Sequence, residues 1–359
     1  MTPRRRIALL GLILLLLALG VVGGGLWRLK NPPAPDGSAD VAVFLPPGTP
    51  VSRIFRELEQ AQVVPDARMA ELYYRLYRSK TTLQAGEYLF TRPTSIDEVI
   101  NRLGRGDVIV HRILVPEGLT AEETFELFWK RGIGGPQAFR EAAAAAELLP
   151  GYTSGDSDLE GFLFPDTYQV TRTTSAAEVV SRMVGRFREN FTPQMREAAK
   201  ARGLTVRETV TLASIIEKET ALPREYPLVS SVYWNRLRKG MRLQADPTVV
   251  YGLKREGKWS GTLYRSDYDL GSPWNTYRID GLPPGPICSP GMGALSAAIR
   301  PAKTDYLYFV ADDSGGHVFS RTFPEHLQAI ASVRRLRAQA QEPPPPAETP
   351  AADSGTPFP

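Results

Sequence analysis

A chain of 359 residues, 42% of them hydrophobic, is long enough for two soluble domains or one large domain with appendages. Its 43 Lys and Arg against 39 Asp and Glu leave a net charge of +4. That excess is too small to argue for nucleic acid, although a weakly basic surface suits an anionic polymer or a membrane face. A lone cysteine, Cys288, excludes an intrachain disulfide, and His111, His317 and His326 have no ligand spacing, so neither a metal site nor a cofactor is expected.

Arg4-Arg5-Arg6 precedes an uncharged run from Ile7 to Trp27, rich in Leu, Val and Gly. At about 1.5 Å per residue such a run crosses a hydrocarbon core of roughly 30 Å. A transmembrane helix is therefore expected over residues 7–29, behind a basic stub (1–6) that stays on the cytoplasmic side. This predicts a single-pass protein of the cytoplasmic (inner) membrane, with its N-terminus inside and the remainder periplasmic. A cleaved signal peptide is the alternative. The run is long for one, and only Gly23-Gly24-Gly25 approaches a cleavage site, which favours an uncleaved anchor.

Residues 30–40 read as a Pro-rich linker. A small unit follows over 41–104: a strand at Val41–Leu45, a helix after Thr49-Pro50 with Val51, Ile54, Leu58 and Ala61 in step, a helix at Asp66–Arg78 with Met69, Leu72, Tyr73 and Leu76 inward, a returning strand at Ala85–Phe90, and a short helix at Ser95–Leu103. Val108–Val115 reads as a strand, Thr120 and Glu123 as a capping box, and Pro136–Leu149 as a helix. Leu159–Tyr168 is aromatic yet carries Glu160 and Asp166, and Pro165 prevents a clean helix. Ser175 and Glu178 open a helix to about Phe191. Thr205 and Glu208 open another to Thr220, and a further one covers Tyr226–Lys239. Leu243–Gly252 mixes polar groups with a short apolar run, and Gly271–Pro286 is loop by composition. Tyr306–Val310 and His317–Ser320 read as a hairpin. Pro324–Gln341 reads as a helix with Leu327, Ile330 and Val333 inward. A larger mixed domain thus spans 105–340, and a Pro/Ala-rich tail over 341–359 is expected to be disordered. The fold class is α+β.

The Thr205–Thr220 helix organises the chemistry. Val206, Val210, Ala213 and Glu217 share one stripe at about 100° per residue, Leu212 and Ile215 lie opposite, and Ile216 fills a flank. A helix apolar on so many faces is expected to be buried, to carry Glu217 into poorly hydrated surroundings and to raise its pKa. Glu219 lies about 200° round the helix, so the two acids should not serve one point. The bland alternative for Glu217 is a salt bridge at a helix end. Asp313-Ser314-Gly315-Gly316 reads as a hairpin turn, since no His and Asp accompany the serine. Ser214 to Lys218 is one residue too long for a Ser-x-x-Lys pair. What remains are loop acids and aromatics, Glu160, Asp166, Tyr168, Asp246, Tyr277 and Asp280, a mixture suited to sugars.

These stretches resemble the YceG-like endolytic murein transglycosylases, also called MltG. The resemblance rests on Leu212–Thr220, Leu159–Tyr168, Leu243–Gly252, Ser272–Tyr277 with Gly281–Ile287, Ser289–Ile299 and Asp305–Val310, in that family's order, across roughly residues 40–335. Phe162 and Ile216 stand where Tyr and Val are common, and the C-terminal tail lies outside the family's core. The resemblance implies an N-terminal anchor, a LysM-like unit at 41–104, and Glu217 as the catalytic residue. It also implies non-hydrolytic cleavage of the MurNAc–GlcNAc β-1,4 bond within peptidoglycan glycan strands, leaving 1,6-anhydro-MurNAc ends. Cell-wall synthases (penicillin-binding proteins) are implied as partners, with no nucleic acid. Gln244, Asp246, Asn275, Tyr277 and Tyr168 are the candidate substrate contacts. Two other readings stay open: a hydrolase pairing Glu217 with Asp246 or Glu160, and a non-catalytic peptidoglycan-binding scaffold.

Overall fold

The structure, a computed structural model, describes residues 3–31, 40–92, 94–144 and 159–341, with side chains from Leu9 to Gln339. Most of the expected linker, the expected tail from residue 342, the arginine side chains of the basic stub and the end of the helix expected at Pro136–Leu149 lie outside the described residues. The chain divides into two compact units, Met1–Asn190 and Phe191–Pro359.

The first unit begins with α1 (Pro3–Lys30). Its stretch Leu9–Lys30 is long and apolar enough to cross a membrane. The last turn packs differently: Leu29 enters a core with Leu45, Phe55 and Tyr88. Gly25 leaves room there for Met69, whose Cε lies 2.9 Å from where a Cβ would sit. β1 (Asp40–Leu45) and β2 (Gly86–Thr91) pair antiparallel, from Asp40 opposite Thr91 to Leu45 opposite Gly86. Around them lie α2 (Val51–Gln60), α3 (Ala67–Tyr73) and α4 (Ile96–Arg105).

One inward face differs from the sequence expectation. Leu72 and Leu76 are 39% and 63% exposed, while Ala67, Ala70, Tyr73 and Tyr74 are buried. The backbone widens into a π-helical turn over Tyr74–Arg78, which shifts the register and turns Leu76 outward.

The rest of this unit holds a second antiparallel pair, β3 (His111–Leu114) with β4 (Thr167–Val170), and the helices α5 (Ala121–Trp129), α6 (Pro136–Ala143) and α7 (Ala176–Asn190). β4 was not expected; it starts just beyond Pro165, where the ring no longer constrains the backbone. Both arms of the Thr120/Glu123 capping box are present. Phe139 packs on Phe125 and Phe128 with ring centroids 4.9 and 5.9 Å away.

The second unit is built round α9 (Val206–Glu219), with α8 (Pro193–Ala201), α10 (Tyr226–Arg238), α11 (Asp246–Arg255) and α12 (Met292–Ile299) against it. A capping box formed by Thr205 and Glu208 starts α9, and every residue from Thr209 to Ile216 is buried. Neither α8 nor α11 was expected as a helix. A hairpin of β5 (Tyr308–Ala311) and β6 (His317–Ser320) leads into α13 (Phe323–Gln341). On α13, Val333 is buried but Leu327 is 51% exposed. His326, stacked on Tyr308 at 5.2 Å, takes the inward position instead.

Candidate active site

Arg207, Ser214 and Glu217 fall on one side of α9, at spacings that bring them back to the same face. Each grips the segment 284–291, which runs alongside the helix in the same direction. The Arg207 Nε donates to the Pro284 carbonyl at 3.0 Å. Ser214 Oγ accepts from the Ile287 N–H at 3.0 Å, and the Cys288 thiol donates to the Ser214 carbonyl at 3.3 Å. At the end of the row, Glu217 Oε2 accepts from the Gly291 N–H at 2.9 Å.

The other oxygen, Oε1, accepts from the Tyr226 hydroxyl at 2.9 Å. Tyr226 opens α10, and its ring packs over Gly293, where a Cβ would lie 2.7 Å from Cε2. Glu217 is half-buried rather than fully enclosed, because it sits in the last turn as α9 leaves the core. Its carboxylate is thus oriented by a phenol and a backbone amide while part of it remains accessible.

Glu219 stands on a different side of α9, as its angle requires, yet it belongs to the same neighbourhood. It accepts from the Tyr233 hydroxyl at 2.5 Å. Tyr226 and Tyr233 are two turns apart on α10, so one face of that helix supplies a phenol to each acid. Burial pushes the Glu219 carboxyl up to about 7; the Tyr233 bond opposes this, Asp246 adds to it, and Arg236 pulls back. Sequence reasoning set Glu219 aside on its angle. The available signal was the seven-residue spacing of the two tyrosines.

Asp246, the first residue of α11, accepts from the Tyr277 hydroxyl at 2.6 Å. Tyr277 meets Tyr268 edge-on at 4.7 Å. Burial, reinforced by Asp246, raises both phenols, Tyr268 to about 12 and Tyr277 further. Gln244 is exposed and has a left-handed backbone (φ 49°), a strained conformation of the kind that collects at functional sites. The Arg236 Nη1 braces this turn by donating to the Leu243 carbonyl at 2.8 Å.

Asn275 and Tyr168 are placed differently. Asn275 is 0% exposed. Its Nδ2 donates to the Tyr268 and Leu270 carbonyls at 3.0 and 2.8 Å, and its Oδ1 accepts from the Tyr277 N–H at 3.0 Å. It shapes the loop that presents Tyr277 from within. Tyr168, in the first unit, is buried with its hydroxyl donating to the Phe164 carbonyl at 2.6 Å. Nearby acids are likewise engaged: Glu160 accepts from the Ala121 N–H at the start of α5, and Asp166 pairs with Arg186 at 2.6 Å.

The second unit therefore gathers two carboxyls at the end of one helix, phenols that orient them, and a polar rim of Gln244, Asp246 and Tyr277. Carboxyls so held can give and take protons, and such a rim can hydrogen-bond hydroxyl-rich ligands.

The YceG-like family matches residues 43–332 of the chain. A Bacillus subtilis relative named endolytic murein transglycosylase is 30% identical over 332 residues, covering 86% of this chain and 90% of the relative. A Streptococcus pneumoniae relative of the same name is 30% identical over 310 residues, covering 78% of this chain. The chain spans about half of that longer protein, 55% of its length. A solved structure, a putative yceG-like protein from Listeria monocytogenes, superposes with a TM-score of 0.51 at 30% identity, covering 81% of this chain and 99% of that one. On the family match, which takes in both the Glu217 helix and the Asp246–Tyr277 rim, the chain belongs to the YceG-like family.

Proposed function

We propose that this protein is a lytic transglycosylase of peptidoglycan that cuts within glycan strands and uses Glu217 as its single acid and base. The observation that carries the reading is the double hold on the Glu217 carboxylate by Tyr226 and Gly291, in a chain whose relatives are named endolytic murein transglycosylases. In the first step a protonated Glu217 gives its proton to the glycosidic O4 leaving from C1 of the MurNAc ring. The resulting carboxylate then takes the proton of that ring's own C6 hydroxyl, whose oxygen closes on C1. The products are a free GlcNAc 4-hydroxyl and a 1,6-anhydro-MurNAc end. Glu217 returns to its starting state and no water is consumed. An intramolecular nucleophile removes the need for a second carboxylate to activate water.

In this reading Gln244, Asp246 and Tyr277 contact the sugars, while Asn275 supports the loop that carries Tyr277. Tyr168 supports the packing of the first unit. The apolar α1 anchors the chain in the cytoplasmic membrane with the enzyme outside it, and residues 41–104 act as a LysM-like glycan-binding unit. Cuts made close to the membrane would end nascent strands beside the synthases that extend them. Digesting purified sacculi and weighing the fragments tests the reaction. Transglycosylation leaves ends lighter by one water than hydrolysis does, so fragments carrying the added water would replace this reading with the two-carboxylate hydrolase.

A further inference from the structure

A basic groove lies on the second unit, at the end of α10 remote from Tyr226. A cavity of 750 Å³ is bordered by Arg202, Trp234, Arg238 and Lys303. A second, of 440 Å³, shares Asn235, Arg238 and Asp305 with it and adds Lys239 and Arg321. Together they hold five cations and one carboxylate, a local excess as large as the net charge of +4 on the whole chain. Among the described residues none of these five cations forms an ion pair, although arginines elsewhere do, as with Arg186 and Asp166 or Arg242 and Asp280.

The walls are fixed. The Asn235 amide donates to the Thr304 and Tyr306 carbonyls at 2.9 and 2.8 Å, which pins the loop opposite α10. The Trp234 indole N–H donates to the Ala298 carbonyl at 2.8 Å, and the Arg202 guanidinium lies 5.4 Å from its ring centre.

We infer that this groove is a second binding point for the substrate, taking the carboxylates of the peptides that hang from murein glycan. The inference rests on the function proposed above. Arginine forks match planar carboxylates, and a half-buried indole offers a face to the small apolar side chains between them. A lipid surface fits less well, because no large exposed hydrophobic side chain borders the groove to enter a bilayer. Along α10 the groove runs from Ser231, about 8 Å from Tyr226, to Arg238, about 18 Å from it, at a rise of roughly 1.5 Å per residue. A peptide on a sugar near the scissile bond can bridge that span. Its engagement would help hold a strand by its middle.

The test uses the full chain, solubilised in detergent and captured on beads. Two soluble glycan ligands are compared: uncrosslinked strands that keep their peptides, and strands stripped by an amidase. The variant Lys239→Glu/Lys303→Glu reverses two ammonium groups that make no hydrogen bond among the described residues. Arg334→Glu/Arg335→Glu on α13 makes the same change in net charge elsewhere. The groove variant should bind peptide-bearing strands about fivefold more weakly and stripped strands unchanged, with the α13 variant like the wild type on both. Equal weakening on the two ligands, or none on either, overturns the inference. Anhydro ends made by the wild type are counted in parallel. If they form and the binding pattern fails, the groove assignment alone falls; if none form from either ligand, the proposed function falls and takes the groove with it.

Discussion

The Tyr226 hydroxyl donates to Glu217 Oε1 at 2.9 Å, and the Tyr226 ring is held in place by the absence of a side chain at Gly293. Orientation of the acid therefore depends on two helices, α10 for the phenol and α12 for the space behind it. Tyr226→Phe keeps the ring and removes the donor, and is expected to lower turnover by roughly tenfold to a hundredfold with little change in melting temperature.

Gly293→Ala approaches the same bond from behind. Its Cβ would lie 2.7 Å from the ring, so the ring must move and the hydroxyl must leave Glu217. Activity should fall towards that of Tyr226→Phe, and combining the two substitutions should cost less than the product of the single effects. Strict multiplicity in the rates would show that Gly293 acts elsewhere.

Glu219 supplies a pH signature. Its folded-state pKa is raised from the ordinary 4.5 to about 7, chiefly by burial. Between those values the folded chain holds a proton that the unfolded chain has released. The contribution of this group to stability is therefore greatest at low pH and declines as pH rises from about 4.5 to 7. Glu219→Gln should flatten that part of the curve of unfolding free energy against pH. Urea unfolding at the two ends of the window reads the difference, and an unchanged slope would contradict the assignment.

Asn275→Ala removes a buried amide that serves two carbonyls and one N–H. Leaving those groups unsatisfied should cost about 1–3 kcal/mol. It should also raise KM more than it lowers kcat, because Tyr277 loses its support while Glu217 keeps its own. Calorimetry and steady-state kinetics on the same preparation check both parts.

What could be read from the chain was local. Thr120 with Glu123 and Thr205 with Glu208 mark helix starts because each box closes within one turn, and both are present. α11 was missed although Asp246-Pro247 is a helix-opening pair, since Ala245 before it offers no capping side chain. The outward turn of Leu76, just beyond α3, was misjudged because a π turn cannot be seen in a 3.6-residue pattern. The apolar surround of α9 was legible, but its half-exposed last turn was not. Tyr226, Tyr233 and Gly291 escaped notice for the same reason: each matters only through an acid on another element, and that pairing is tertiary.

The most direct measurement compares wild type and Glu217→Gln on purified sacculi, with fragments weighed and 1,6-anhydro ends counted. The substitution keeps the size of the side chain and an oxygen for the Gly291 N–H, while the Tyr226 hydroxyl can turn to accept from the new amide NH2, so the fold should persist with little change in melting temperature. Wild type should yield anhydro ends with no added water, and the variant almost none. A folded Glu217→Gln protein that makes such ends at close to the wild-type rate would contradict the account.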